Sequence, residues 1–188
     1  DNPPAESLDY VSDMLHIMGS FIVSSIRRRN LLRQLERMSY RDQLTQFGNR
    51  YAVDWFVEHE WNGEQIGVVY CDITGLKKVN DEQGHEAGDR LIIRACECLA
   101  GVFKGYGLYR IGGDEFLVLC LGIEEKDLRE HVEKLRMDMK EHQVTMAVGM
   151  IWKEHGPKDI DLLLNESERL MYEDKDRYYK EHGLKRRR

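Results

Sequence analysis

The sequence predicts an α/β (α+β) fold in which a mixed central sheet is flanked by helices and preceded by an N-terminal helical stalk. Three observations predict it. Residues 66–72 and 144–152 are short, nearly continuous apolar runs of the kind that buried strands have. Residues 108–121 hold two more such runs, broken by Gly112-Gly113-Asp114-Glu115, which reads as a hairpin. Between these lie segments whose apolar residues recur three and four apart, the spacing of helices that cover a sheet. The order strand, helix, helix, hairpin, helix, strand, helix follows. No G-x-G-x-x-G succeeds the first strand, which excludes a Rossmann dinucleotide fold.

Taken in order, residues 1–7, with Pro3-Pro4, read as a loop entering a helix over residues 8–38. Val11, Leu15, Met18 and Ile22, then Leu31, Leu35 and Met38, recur at helical spacing and make this stretch an amphipathic stalk. The register breaks around residues 24–30. A single uninterrupted coiled coil is therefore not supported, although a stutter within one reads the same. Such a helix either packs on its own domain or pairs with a second copy, carrying a signal from an upstream sensor. The chain opens within an element, so a fragment of a longer protein is expected, its sensor domain lying upstream.

Residues 39–48 are a turn-rich joint, and residues 50–60 the first helix of the domain proper. Beyond the strand that ends in Asp72, Lys77 and Asn80 are three apart and share a helix face. Residues 91–103 form a largely apolar helix starting near Gly88-Asp89, where Asp89 also suits an N-cap. Residues 124–142 are a charged helix turning Leu128, Val132 and Leu135 inward. Residues 159–182 are a helix with a core face of Leu162, Leu163, Leu170 and Met171. The organisation is thus a stalk (1–38), a catalytic-size domain (39–182) and a basic, solvated tail (183–188).

At 188 residues the chain fits one domain with an appendage. Acidic residues outnumber lysine and arginine by six, so the overall field does not favour nonspecific nucleic-acid binding. Cys71, Cys96, Cys98 and Cys120 lie in apolar patterns without a C-x-x-C pair, and read as small buried hydrophobes in a reducing compartment. Residues 14–26, the most apolar early stretch, fall short of the ~20 residues of a membrane span and contain His16 and three serines. No membrane span and a cytoplasmic location are expected.

The chemistry centres on two carboxylate-bearing strand ends. Gly112 and Gly113 allow positive φ and remove side-chain bulk, so backbone amides there can approach a ligand, with Asp114 and Glu115 beside them. If the strand ending in Asp72 neighbours this hairpin, Asp72 and Asp114 converge. Carboxylate oxygens plus a backbone carbonyl suit a hard cation such as Mg2+, with Mn2+ as an alternative, which binds substrate phosphates as well. The substrate class this suggests is a nucleotide polyphosphate.

Five ordered motifs make the chain resemble the GGDEF-domain diguanylate cyclases over residues 39–182. They are Asp42-Gln-Leu-Thr45 with Asn49-Arg50; Asp72-Ile73 with Lys77 and Asn80-Asp81; Gly84-His85 with Gly88-Asp89; Arg110 with Gly112 to Phe116; and Met171-Tyr172 with Lys175. The resemblance implies a palm-like sheet shared with nucleotidyl cyclases. It implies condensation of two GTP into cyclic di-GMP with release of two pyrophosphates, between two facing domains of a homodimer held by the stalk. Carried over by position, Asp72, the Ile73 carbonyl and Asp114 are metal ligands. Asp114 or Glu115 takes the hydroxyl proton, and Lys77 and Lys175 neutralise phosphate charge. Asn80 and Asp89 recognise guanine, His85 lines the base pocket, and Gly112 and Gly113 shape the turn. A GTP-binding domain without catalysis is the alternative.

The chain departs from the family pattern in places. Phe103 and Tyr106 stand where many members carry an Arg-x-x-Asp product-inhibition motif, so that feedback is expected to be absent. Tyr178-Tyr179 follow Lys175 where glycine and a basic residue are usual, leaving Arg177 or Lys180 as substitutes. Thr74 and Leu76 replace the common aspartate and phenylalanine. The first helix is also similar in pattern to the closing helix of a GAF-type sensor domain.

Overall fold

The computed structural model describes residues 5–38, 40–157 and 159–183, with side chains from residue 14 onward except 30 and 32–38. Of the expected loop at residues 1–7, residues 1–4 lie outside the described residues and residues 5–7 are already helical; residues 184–188 of the expected basic tail also lie outside them. Two compact units divide the chain, Asp1–Tyr40 and Arg41–Arg188.

The first unit is one helix, α1 (Ala5–Met38), which runs through the expected register break at residues 24–30. Ser20 and Ser24 do not interrupt it, because their hydroxyls donate to the carbonyls of Ile17 and Phe21, each at 2.9 Å. Leu15, Met18 and Ile22 form the stripe read from the sequence, and all three are exposed. Ile17 and Phe21, 68% and 71% exposed, widen that stripe to roughly half the helix circumference at 100° per residue. Among the described residues no helix is long and apolar enough to cross a membrane.

The second unit is built from α2 (Arg50–His59), β1 (Ile66–Ile73), α3 (Leu76–Gln83), α4 (His85–Val102), β2 (Gly107–Arg110), β3 (Glu115–Leu121), α5 (Glu125–Glu141), β4 (Met146–Lys153) and α6 (Asp161–Glu181). The sheet order is β2-β3-β1-β4. The α/β class and the helix-flanked sheet stand as the sequence predicts them. Within the sheet the strand ladders are antiparallel, and the parallel pairing is confined to an isolated bridge between Gly48 and Tyr109. The reason lies in the crossovers. Helices α3 and α4 join β1 to β2, and α5 joins β3 to β4, each pair running the same way; but each crossover skips one strand, so every neighbour is reversed.

Strand alternation sorts β1 between two cores. Val69, Cys71 and Ile73 face α4 and α5, packing with Leu91, Ala95, Leu99, Leu128 and Leu135. Ile66, Val68 and Tyr70 face α2 and α6, with Val53, Phe56, Leu163 and Met171. Being covered on both sides is why β1 reads as a continuous apolar run rather than an alternating one. All four cysteines are free and buried. Burial pushes the thiols of Cys71, Cys96 and Cys120 up to about 12, which keeps them protonated and inert.

Two boundaries move from the sequence reading. Of the expected core face of α6, Leu163 and Met171 are buried together with Ser167, whereas Leu162 is 61% exposed and Leu170 half-buried. Helix α4 starts at His85, ahead of the predicted start near Gly88-Asp89, because Gly84 at φ +82 both ends α3 and begins α4. Asp89 consequently lies inside α4 and caps nothing.

Candidate active site

The β1–β3 register sets Asp72 directly across from Glu115. Both belong to the sheet face that α6 covers, in line with Tyr70–Leu117 and Val68–Leu119. Asp72 is 4% exposed. The turn before β3 is fastened to the end of β1 through the backbone, Ile73 N donating to Asp114 O at 2.9 Å. The backbone of Asp114 thus lies against the end of β1, and the side chain squarely opposite Asp72 is Glu115. A side-chain period of two decides this, and the strand register could not be read from the sequence.

Gly112 serves the site through its missing side chain. A Cβ at this position would stand 2.6 Å from Glu115 Oε2, so the carboxylate occupies the space that any other residue would fill. Neither Gly112 nor Gly113 uses the positive φ that glycine allows, so what they contribute here is the missing side chain. Gly113 is exposed, and its carbonyl accepts from Arg110 Nη2 at 2.7 Å and Nε at 3.2 Å. The same guanidinium reaches Asp42 Oδ1 at 3.1 Å. Arg110 thereby ties the glycine turn to the residue 42–45 joint, where Thr45 donates to Asp42 through its backbone at 2.8 Å and its hydroxyl at 2.7 Å. Burial pushes the Asp42 pKa up, but the bonds from Thr45 and the Arg110 guanidinium outweigh it and hold the carboxyl below its ordinary value.

Helix α6 brings the cation. It lies against β4 at Gly149, where an added Cβ would collide with Ser167 O and Met171 N. One turn beyond Met171 is Lys175, and Ala147, two residues before Gly149, pairs with Asp72. Lys175 Nζ accordingly donates to Asp72 Oδ1 at 2.6 Å, with the two side chains 14% and 5% exposed. Asp174 on the same helix accepts from Val148 N at 2.9 Å and pairs with Arg136 of α5, which blocks the free edge of β4.

Burial raises the Glu115 pKa, and the charges of Asp114, Asp72 and Glu168 raise it further against a smaller opposing pull from Lys175. Glu168 was missed by the sequence reading. Its signal was available, since Glu168, Tyr172 and Lys175 are spaced four and three apart and share a face of α6. The acidic group fits a hard cation: the carboxylates are partly desolvated and outnumber the lysine that offsets them. Among the described residues no three Asp, Glu, His or Cys side chains form a cage for a metal.

The α3–α4 corner holds a second polar group. Asn80 Oδ1 is buried without a hydrogen-bond partner, and it occupies the space where a side chain at Gly88 would begin. Gly88 is therefore needed for room inside a helix. Asp89 follows it on α4, while Lys77 and His85 are exposed on the same two helices.

The family described as "Diguanylate cyclase, GGDEF domain" matches residues 39–180. The chain belongs to the GGDEF family. Among its relatives are the bifunctional diguanylate cyclase/cyclic di-GMP phosphodiesterase MucR of Pseudomonas aeruginosa, 29% identical over 86% of this chain and 25% of that one. Another is the diguanylate cyclase DgcP of Escherichia coli, 26% identical over 86% of this chain and 54% of that one. The chain spans from a quarter to about half of such curated relatives. Among solved structures, the coiled coil and GGDEF domain of DgcB from Caulobacter crescentus in complex with c-di-GMP superposes with a TM-score of 0.65 at 20% identity, over 91% of this chain and 96% of that one. The diguanylate cyclase SiaD in complex with its activator SiaC, from P. aeruginosa, gives 0.65 at 21%, over 92% and 73%. At such identities the likeness establishes the fold.

In this GGDEF domain the product-inhibition positions are filled by aromatic packing. Phe103 is fully buried, and His131 of α5 sits between it and Tyr106, with ring centroids 5.6 and 6.0 Å apart. At the far end of α6, Tyr178 stacks on His182 at 4.1 Å, and Arg177 pairs with Asp174 at 3.5 Å. Arg177 is thus engaged within its own helix although its side chain stays 65% exposed, and Lys180 is exposed as well.

Proposed function

We propose that the domain condenses two GTP molecules into cyclic di-GMP and two pyrophosphates. The observation that carries this reading is the cross-strand pair Asp72–Glu115 with Asp114 beside it and Lys175 above. Each new bond needs a ribose 3′-hydroxyl aligned on an α-phosphate, a proton acceptor, and cations along the polyphosphate. Asp72, Asp114 and the Ile73 carbonyl hold Mg2+, or Mn2+ in its place. When bound, the metal neutralises phosphate charge and eases loss of the hydroxyl proton.

The residues do the rest. Lys77 and Lys175 meet the triphosphate, and the Gly112-Gly113 turn leaves room for it. Asp114 or Glu115 receives the proton. Asn80 Oδ1 gains the donor it lacks from the guanine edge, and Asp89 accepts from guanine N1–H and the 2-amino group, with His85 at the pocket's rim. Adenine offers neither N1–H nor a 2-amino group, and the buried Asn80 acceptor left unmatched is costly, so GTP is preferred over ATP.

One domain holds one GTP, so the reaction takes place between two facing copies. The broad apolar face of α1, with Leu15, Ile17, Met18, Phe21 and Ile22 exposed, supports association of two copies through the stalk.

The test is incubation of the protein, at several concentrations, with GTP and Mg2+, and chromatographic separation of products beside Asp114→Ala. Cyclic di-GMP that rises in yield per molecule with concentration and vanishes in the variant supports the reading. Tight metal-dependent GTP binding without product identifies a GTP-binding domain that transmits a signal instead.

A further inference from the structure

Asp72 and Lys175 each have a task in the proposed reaction, one toward the cation and the other toward the triphosphate. In the structure they are spent on each other: Nζ lies 2.6 Å from Oδ1, and both side chains are largely withdrawn from water. A carboxylate at 4% exposure is costly without a counter-charge. The lysine supplies that charge from α6, whose position is fixed by its backbone contact on Gly149.

We propose that Lys175 is a place-holding cation: it occupies Asp72 until a nucleoside triphosphate draws it away, so that metal and nucleotide bind as a coupled pair. This inference rests on the reading of Asp72 as a metal ligand. A divalent ion arriving alone has two options. It can share Asp72 with an ammonium, at the cost of repulsion between cations, or it can expel Lys175 and leave that ammonium poorly solvated without a partner. The site cannot compensate by chelation, because no three acidic or metal-ligating side chains among the described residues come together as a cage. A triphosphate removes both difficulties, since its oxygens receive Lys175 while they complete the shell of the ion.

The surroundings agree with this division of labour. Asp114, Asp72 and Glu168 all act on Glu115 as neighbouring negative charges, so the site attracts cations. What limits a free metal ion is therefore occupancy of the one buried carboxylate, and Lys175 provides that occupancy. Linkage makes the effect reciprocal: whatever factor by which nucleotide tightens metal, metal tightens nucleotide.

The experiment uses the full chain and Mn2+ as the probe, following free Mn2+ by electron paramagnetic resonance, first without nucleotide and then with a non-hydrolysable GTP analogue. Lys175→Met is compared with Lys175→Arg, Lys175→Gln and Asp72→Asn. The expected result is weak Mn2+ binding in the native chain and in Lys175→Arg, roughly tenfold tighter binding in Lys175→Met and Lys175→Gln, and loss of coupling to the analogue in those two. Thermal melts give a second readout, with Mn2+ alone raising the melting temperature more in Lys175→Gln than in the native chain. Should Lys175→Met prove unfolded, Lys175→Gln keeps a hydrogen bond to Asp72 and carries the comparison. Unchanged Mn2+ affinity in the charge-removing variants, with Asp72-dependent binding in the analogue complex intact, overturns the place-holder and leaves the proposed function standing. Absence of Asp72-dependent Mn2+ binding even with the analogue overturns both.

Discussion

Lys175 Nζ lies 2.6 Å from Asp72 Oδ1, joining α6 to the end of β1 across 103 positions of chain. The pair is largely buried, so its partners depend on each other. Either Asp72→Asn or Lys175→Met should cost about 3–5 kcal/mol in urea unfolding, with the double variant costing less than the sum. Strictly additive losses would show that the two groups are not coupled in solution.

Gly149 is the contact that lets α6 sit low enough for this pairing. Gly149→Val should destabilise the domain by about 1–3 kcal/mol or more, because the added carbons meet helix backbone and not a movable side chain. Product formation should fall with it. Near-native stability of the variant would mean that α6 can slide without consequence.

Asn80 carries an acceptor that nothing in the fold satisfies. Asn80→Ala should therefore change stability by no more than about 1 kcal/mol, while GTP affinity drops at least roughly tenfold. Gly88→Ala should reproduce the loss of affinity by displacing the Asn80 amide. Calorimetric titration with GTP and Mg2+ checks both, and unaltered affinity in either would remove the amide from the base pocket.

Asp42 sets a pH dependence. Its folded-state pKa lies below the ordinary 3.8, so the folded chain binds fewer protons at this group than the unfolded chain. The resulting stability is fully present above about pH 4 and is lost as pH falls below that value. Asp42→Asn should cost about 1–3 kcal/mol at pH 7, and the gap to the native chain should narrow below pH 3.8. A gap that holds constant down to pH 3 would assign the loss to shape and not to charge.

Phe103, Tyr106 and His131 pack together where an Arg-x-x-Asp feedback site would need exposed charges. Added cyclic di-GMP should leave the initial rate of synthesis unchanged at concentrations well above the product formed. Inhibition that survives Tyr106→Ala would place a feedback site elsewhere on the surface.

The sequence by itself determined the element order, the α/β class and the family, because each depends on patterns local to the chain. Continuous apolar runs marked strands covered on both faces, and the spacing of Asp72, Asn80, Asp89, Asp114, Glu115 and Lys175 marked the motifs. Tertiary structure decided what depends on register and approach. Alternation along β1 and β3 put Glu115 opposite Asp72, and the crossovers reversed every neighbouring strand. The start of α4 at His85 made Asp89 a helix-interior residue. Gly149 and Gly88 look alike in sequence, yet one admits a helix backbone and the other an amide. Pairing of Lys175 with Asp72 belongs to the same class. A long side chain can serve several partners, and only the packing of α6 on the sheet selects among them.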